Sequence, residues 1–267
     1  MGSIIRFSCL QTKIRELLNG LESQFSLYIS TKDGDIKISE NVQRPAASLA
    51  KIPILIEALR QIDDGRLRED CSVPIKKSML AGGAGIIAKL TNADRFTYRD
   101  LLELMIIISD NTAANVVLEA VGAEQVNRFC SVCGCNNTIL QRKFMDEAAQ
   151  MTGRDNYTSA EDMMRMLHLI CSPNKFISRK NRNKIIGILS NQQLKDKLAY
   201  YLPEDSNVHM FHKSGELAGV EHEAAILEYN GNQLQAVVLS EGWENNGDGK
   251  LFIAEIGRLL IRYIQST

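Results

Sequence analysis

The sequence predicts an α/β (α+β) fold in which both ends of the chain build one antiparallel sheet and an all-helical lobe is inserted between them. Three observations carry this prediction. Strand-like alternation of apolar and polar residues occupies residues 25–38, helical periodicity dominates residues 47–200, and strand character returns only after Val208.

No internal repeat, low-complexity tract or linker interrupts the sequence, which favours a single domain over residues 1–267. We expect a sheet lobe at about 1–45 and 205–267 and a helical lobe at about 46–204. A cleft between the two lobes is the natural place for a functional site.

The first elements are a helix and a strand hairpin. Ile14, Leu17 and Leu21 fall at helical spacing, so the first helix ends near Asn19-Gly20 or in the polar residues that follow. Residues 25–29 then alternate between apolar and polar side chains, and the turn-forming run Lys32-Asp33-Gly34-Asp35 leads into a second strand.

The remaining elements follow the same two periodicities. The helical patterns of the middle of the chain cover residues 52–62, 98–108, 113–121, 160–170 and 181–189. Near the C terminus, Asn230-Gly231 separates two strand patterns and is the strongest short hairpin signal in a sequence. The chain closes with an apolar helical stripe formed by Phe252, Ile256, Leu259, Leu260 and Tyr263.

Composition excludes several classes of protein. With 31 basic and 32 acidic residues the net charge is −1, which gives no general basic surface for nucleic acid. The longest apolar run, residues 101–108, is interrupted by Glu103 and is far shorter than the roughly 20 residues of a membrane-spanning helix. Residues 1–7 do not resemble a secretion signal, so we expect a cytoplasmic chain as written, or a secreted or cell-surface one if a leader was removed.

Three of the 6 cysteines, Cys130, Cys133 and Cys135, lie close together in the sequence. A structural zinc site needs four ligands in two close pairs, and no second pair follows at a suitable spacing. We therefore expect reduced, partly buried thiols, with no metal and no organic cofactor.

The tetrapeptide Ser48-Leu49-Ala50-Lys51 precedes an apolar helical run. Positions i and i+3 share one face of a helix, so the lysine could reach the serine hydroxyl. A serine needs a base at neutral pH, and a lysine can be that base only if burial or nearby positive charge destabilises its ammonium form. Ser172 and Lys175 have the same spacing in a loop-like setting, so this pair alone is weak evidence.

Two further tripeptides make the pattern specific. Ser109-Asp110-Asn111 follows a predicted helix, and Lys213-Ser214-Gly215 lies in a predicted strand region. The ordered set S-x-x-K, S-D-N and K-[ST]-G resembles the penicillin-recognising serine hydrolases, and most of all the class A β-lactamases. The resemblance extends over nearly the whole chain and implies a β-lactamase/transpeptidase-like fold.

The resemblance also implies a role for each matched residue. The catalytic residues would be Ser48 as nucleophile, Lys51 as its base, Ser109 as proton relay and Lys213 as electrostatic anchor. The substrate-binding residues would be Asn111, Ser214, Gly215 and Glu216, with the backbone N–H groups of Ser48 and Glu216 as the oxyanion hole. The expected partner is a small-molecule substrate bound by a monomer.

One loop departs from the family pattern. Class A β-lactamases carry R-x-E-x-x-L-N, whose glutamate activates the water that cleaves the acyl-enzyme, whereas this chain has Phe144 at the glutamate position and Ala148 at the asparagine position. Loss of a general base typically slows a step by roughly 10²–10⁴-fold. Asp146 and Glu147 are candidate replacement bases, and we expect Asp146 to be the better one.

The strand after Lys213 departs from the pattern as well, because it carries Glu216, Glu221 and Glu223. If Glu216 and Glu221 face the cleft, they repel anionic substrates, and a neutral or cationic amide or ester is preferred.

The function expected from these residues is hydrolysis of β-lactam or related amide bonds through an acyl-serine intermediate. Two alternatives remain at this level. One is a D-alanyl peptide carboxypeptidase or an esterase. The other is a penicillin-binding or sensor protein that keeps its acyl group for a long time.

Overall fold

The computed structural model describes residues 6–267. The expectation about a leader concerns residues 1–7, of which residues 1–5 lie outside the described residues. The helices are α1 (Phe7–Leu17), α2 (Lys51–Asp63), α3 (Tyr98–Ile107), α4 (Asn111–Val121), α5 (Ala123–Val132), α6 (Glu147–Met151), α7 (Ala160–Cys171), α8 (Arg179–Ser190) and α9 (Asn246–Gln265). The strands are β1 (Phe25–Thr31), β2 (Gly34–Ile38), β3 (Arg44–Pro45), β4 (Ser72–Pro74), β5 (Arg95–Thr97), β6 (Tyr157–Thr158), β7 (His209–Leu217), β8 (Val220–Tyr229) and β9 (Asn232–Glu241).

The central sheet has five antiparallel strands in the order β2-β1-β9-β8-β7. The N-terminal hairpin joins the C-terminal strands where Leu27 on β1 pairs with Val238 on β9. Asn230 and Gly231 both have positive φ, 48° and 80°, as the tight turn between β8 and β9 requires. The predicted fold class, with a sheet built from both ends of the chain, is therefore confirmed.

Each face of the sheet covers its own apolar core. On one face, α1 and α9 pack against the sheet, and the apolar residues of α9 are buried there as their helical spacing predicts. On the other face lies the helical lobe, whose central helix α2 is buried along almost its whole length. Because α2 is held from all sides, the residues at its N-terminal end have little freedom to move.

The first helix ends close to the first of its two expected ends. α1 covers Phe7–Leu17, so it ends shortly before Asn19-Gly20. After Leu18 the backbone N–H groups of Asn19 and Leu21 bond to carbonyls only three residues back. The chain therefore leaves the α-helix through a tight turn, although Leu18 is still buried in the core.

The cysteine cluster lies at and just after the end of α5. Cys130 and Cys135 are buried, and burial raises the pKa of the Cys130 thiol to about 12. Cys133 is partly buried, and burial raises its pKa to about 11. These thiols are therefore protonated at neutral pH and contribute as small apolar groups. In residues 6–267, no helix is both long and apolar enough to span a membrane.

Candidate active site

Ser48 lies in a single 3-10 turn, residues Ala47–Ala50, that leads directly into α2. Ala47 has a positive φ of 46°, an uncommon conformation for a residue with a side chain. The strained turn leaves Ser48 partly exposed at the entrance of the helix, while the next residues are buried. A partly exposed hydroxyl at a rigid helix start is well placed to meet a substrate.

Lys51 is fully buried and its ammonium group is surrounded by hydrogen-bond partners. The Nζ atom lies 3.1 Å from the Oγ of Ser48, 3.0 Å from the Oγ of Ser109 and 2.8 Å from the Oδ1 of Asn111. It also donates to the carbonyl oxygen of Ser109 at 2.6 Å. The first and second sequence motifs therefore meet at this one nitrogen atom.

The second motif is built around Asp110, whose side chain is structural. Its carboxylate caps α4 by accepting from the N–H of Ala113 at 2.9 Å. The same carboxylate accepts from the N–H groups of Ile86 and Ile87 at 2.7 and 2.9 Å. Asp110 thus holds a loop of the cleft wall, and it directly follows Ser109, which has a positive φ of 59°.

Lys213 brings the third motif to the same point. Its Nζ lies 3.1 Å from the Oγ of Ser109 and donates to the carbonyl of Ser214 at 2.7 Å. The hydroxyl of Ser109 therefore lies between the amino groups of two fully buried lysines. Such a hydroxyl can pass a proton between them and a substrate atom.

Both lysines have lowered pKa values because burial removes water from their charged forms. Burial and then the nearby charge of Lys213 hold the pKa of Lys51 well below its usual value. Burial and then the charge of Lys197 lower the pKa of Lys213 to about 7. The lowered pKa of Lys51 favours its neutral amine form, which is the form that can act as a base.

Gly215 allows β7 to approach the turn that carries Ser48. A Cβ atom at Gly215 would lie 3.2 Å from the Cβ of Ala47 and 3.3 Å from the backbone N of Ser48. β7 is the edge strand of the sheet next to this turn. A side chain at position 215 would push the strand away from the serine, so the glycine is needed for close approach.

The loop that departed from the family pattern places Phe144 against Lys51. The ring centroid lies 4.6 Å from Nζ of Lys51, and the side chain is buried. Asn115 fixes this residue with two bonds, from the Phe144 N–H to Oδ1 at 2.8 Å and from Nδ2 to the Phe144 carbonyl at 3.0 Å. At this point an aromatic ring faces the lysine in place of a carboxylate.

The two candidate replacement bases point to different places. The carboxylate of Asp146 caps α6 by accepting from the N–H of Ala149 at 3.0 Å, and Asp146 lines a separate surface hollow next to Glu119 and Lys143. Glu147 is exposed and lines the same cleft as Ser48. Of the two candidates, Glu147 therefore lies at the cleft that contains Ser48, whereas Asp146, the candidate preferred from the sequence, lies at the other hollow.

The acidic residues of β7 and β8 do not form the free anionic surface that the sequence suggested. Glu221 is buried and pairs with Lys197 at 2.5 Å, so it does not face the cleft as an unpaired charge. Glu216 is exposed, but it pairs with Lys250 at 2.8 Å, and Asp196 binds the same ammonium group at 2.9 Å. Glu223 is also buried, where its carboxylate contacts His212.

Sequence reasoning missed Lys197, Lys250 and Asp196. They lie outside the three motifs, in the segment between α8 and β7 and at the start of α9, and no local pattern marks them. Only the folded chain brings them to the wall of the cleft, which has a volume of about 1080 Å³ and also includes Ser48, Ser109, Asn111, Ser214 and Glu216. The cleft is large enough for a small-molecule substrate.

Comparisons with known proteins agree with this geometry. A protein-family sequence model, described as the beta-lactamase enzyme family, matches residues 9–264. A β-lactamase of Bacteroides uniformis is 22% identical over 96% of this chain and 91% of its own length. The β-lactamase VEB-1 of Pseudomonas aeruginosa is 21% identical over 95% of this chain and 90% of its own length.

Solved structures show the same fold. The crystal structure of a β-lactamase from Sphaerobacter thermophilus superposes with a TM-score of 0.89 at 23% identity, covering 98% of this chain and 99% of that one. The structure of PBP-A gives a TM-score of 0.84 at 22% identity and covers 100% of both chains. A mutant of PBP-A, solved as an acyl-enzyme complex with penicillin G, gives 0.86 at 22% identity, with 99% of each chain covered.

Proposed function

The chain belongs to the β-lactamase enzyme family and is a serine hydrolase of the β-lactamase type; we propose that it forms an acyl-enzyme at Ser48 and releases the acyl group slowly. The proposed acylation rests on the contact between Lys51 Nζ and Ser48 Oγ, which lie 3.1 Å apart. Burial of this site lowers the pKa of the lysine.

In the proposed acylation step, neutral Lys51 takes the proton from Ser48 and the serine oxygen attacks the substrate carbonyl carbon. The backbone N–H groups of Ser48 and Glu216 stabilise the oxyanion that forms. When the carbon–nitrogen bond breaks, Ser109 gives its proton to the leaving nitrogen. The protonated Lys51, whose Nζ lies 3.0 Å away, then returns a proton to Ser109.

The remaining contacts suit substrate binding. Asn111 is oriented by Lys51 and by a bond from its Nδ2 to the carbonyl of Gly82 at 2.9 Å. Its side chain and Ser214 both line the cleft. We assign Asn111 to a substrate amide, Ser214 to a polar or acidic substrate group, and Gly215 to the close approach between strand and substrate.

Slow release follows from the position of Phe144. Deacylation needs a water molecule that is activated by a base. In this loop Phe144, which has no basic group, occupies the position of the glutamate in the class A pattern. Two acidic residues of this loop line the cleft: Asp155 is paired with Arg142 at 2.7 Å, whereas Glu147 is exposed. We therefore propose Glu147 as a weak replacement base.

The charges of the cleft wall favour substrates that are not strongly anionic. Lys250 is held between Asp196 and Glu216, so a substrate carboxylate would compete with two carboxylates for this ammonium group. Exposed Glu147 adds a further negative charge. We propose that neutral or cationic β-lactams, amides or esters acylate faster than their anionic counterparts.

Intact-protein mass spectrometry during incubation with a chromogenic β-lactam tests the proposal, with Ser48→Ala as the blank. We expect a Ser48-dependent adduct that forms and then persists over many minutes. An adduct that clears within seconds would contradict slow release while leaving acylation intact. Absence of any adduct, together with Ser48-dependent cleavage of small esters, would contradict the assignment to β-lactams.

A further inference from the structure

A buried ion pair lies directly behind the edge strand of the cleft. The Nζ of Lys197 is 2.5 Å from the Oε2 of Glu221, and the two side chains are only 1% and 0% exposed. Burying two charges carries a desolvation cost that their attraction often only offsets, so such pairs add little to stability. This pair therefore needs an explanation other than stability.

The contacts of Lys197 with the backbone supply an explanation for the buried ion pair. Its Nζ donates to the carbonyl of Gly215 at 2.8 Å and to the carbonyl of His222 at 3.3 Å. The Gly215 carbonyl and the N–H of Glu216 belong to the same peptide unit. Because a peptide unit is planar and trans, its oxygen and its hydrogen point in opposite directions. A bond that fixes the Gly215 oxygen therefore also fixes the direction of the Glu216 N–H.

The strand residue after Glu216 is also held by a hydrogen bond, and the donor side chain is in turn bonded to Glu221. Asn246, the first residue of α9, donates from Nδ2 to the Oε1 of Glu221 at 2.7 Å and to the carbonyl of Leu217 at 2.8 Å. The backbone on both sides of Glu216 is thus hydrogen-bonded to one cluster, which consists of buried Lys197 and Glu221 and partly buried Asn246. Glu221 holds the lysine in place and balances its charge.

We propose that Lys197 is a positioning residue for the oxyanion hole, which it aligns and polarises by donating to the carbonyl of Gly215. A charged donor on the carbonyl withdraws electron density from the peptide unit, so the N–H at its other end becomes a stronger donor. This inference rests on the proposed function, in which the N–H of Glu216 stabilises the oxyanion. It gives a reason for a buried lysine whose hydrogen bonds go to the backbone of the strand.

The experiment compares Lys197→Met with the double variant Lys197→Met/Glu221→Met. The single variant leaves a buried carboxylate unpaired and is expected to be unstable, whereas the double variant removes both charges and keeps the volume filled. Glu57→Gln is the matched control, because Glu57 is a buried carboxylate that pairs with Arg60 at 2.6 Å in α2 and lies outside the cleft lining.

Two probes separate positioning from substrate contact. Phenylboronic acid adds to the nucleophilic serine and places an anionic oxygen in the oxyanion hole, yet it carries no carboxylate that Lys197 could bind. Stopped-flow acylation by a chromogenic β-lactam is measured beside it and gives both the rate constant of acylation and the dissociation constant of the noncovalent complex, which KM does not report when deacylation is slow. Thermal unfolding reports whether each variant is folded.

In the folded double variant we expect phenylboronic acid affinity and the acylation rate constant to fall together by about 10- to 100-fold, less than the roughly 10²–10³-fold loss for removal of a whole oxyanion donor. The dissociation constant of the noncovalent complex should change little, and Glu57→Gln should change none of these quantities. Unchanged boronate affinity in the folded double variant would overturn the proposal, even if β-lactam binding weakened. If the parent chain gave no Ser48-dependent adduct and bound no boronate, the proposed function itself would fail.

Discussion

The aromatic ring of Phe144 lies 4.6 Å from the Nζ of Lys51, at the place where the related loop pattern has a glutamate. Asn115 bonds to both backbone polar groups of Phe144, so the ring is held there. In the proposed mechanism, the lysine that activates the serine is therefore present, while an apolar ring takes the place of the group that would activate the hydrolytic water. We therefore expect acylation to be faster than deacylation.

Phe144→Glu should shorten the lifetime of the acyl-enzyme. A carboxylate at this position is a general base of the kind that contributes roughly 10²–10⁴-fold, and we expect an acceleration toward the lower end because the loop is not otherwise adapted. Time-resolved intact mass measures the lifetime. Phe144→Leu is the control that opens space without adding a base. Equal lifetimes in the two variants would show that the carboxylate does not act.

Glu147→Gln should lengthen the acyl-enzyme lifetime, because Glu147 is an exposed acidic residue of the loop that lines the cleft, whereas Asp155 in the same lining is paired with Arg142. Asp146→Asn should leave the lifetime unchanged. Its side chain caps α6, and asparagine is about as good a cap as aspartate. The two lifetimes are compared under identical conditions, and a longer lifetime only in Asp146→Asn would reverse the assignment.

The rate constant of acylation should fall as the pH rises through about 7, because Lys213 loses its positive charge there. Arginine stays charged at every accessible pH, so Lys213→Arg should keep its rate constant, even if lower, constant between pH 7 and 9. Stopped-flow acylation from pH 5.5 to 9 measures both profiles. A decline near pH 7 that survives in the arginine variant would assign the titration to another group.

Stability should decrease as the pH falls from 6.5 to about 4, because His222 is buried without charge. Its Nδ1 accepts from the N–H of Ser240 and its Nε2 lies 2.8 Å from the Pro45 carbonyl, and burial lowers its pKa to about 4. The unfolded chain binds the proton first, so stability is fully present above pH 6.5 and is lost below it. The full loss is on the order of 3 kcal/mol.

Urea unfolding at several pH values between 4 and 7 tests this origin, with His222→Gln as the comparison. The variant cannot take up a proton, so its free energy of unfolding should depend less on pH in this window. Parallel pH dependences for the two proteins would assign the loss to carboxylates instead.

The preference for anionic over neutral substrates should depend on the ion pairs of Lys250 with Asp196 and Glu216. Glu216→Gln with Asp196→Asn frees Lys250, so acylation by an anionic penicillin should rise several-fold relative to acylation by its methyl ester, whereas Lys250→Gln should lower this ratio. Glu255→Gln on α9, whose partner Arg258 lies away from the cleft, is the control. A ratio that is the same in all variants, at low and high salt, would show that the bridge does not select substrates.

Local sequence was sufficient for much of the fold. The alternation in β1, the Asn230-Gly231 turn and the apolar stripe of α9 each encode an element through side-chain periodicity or backbone conformation, and these signals act over a few residues. α1 ends shortly before the expected Asn19-Gly20, and Leu18 and Leu21 keep the apolar spacing after the backbone has already turned.

The sequence by itself determined the three motifs and the family, since their order and spacing identify Ser48, Lys51, Ser109 and Lys213 without any coordinates. Only the tertiary structure decided what surrounds them. In the folded chain the ring of Phe144 contacts Lys51, and the side chain of Asp146 caps α6. Glu221 is paired with Lys197, and Glu216 is paired with Lys250. The physical reason is that burial, charge pairing and the direction of a carbonyl depend on groups far apart in the chain, and no local pattern records such contacts.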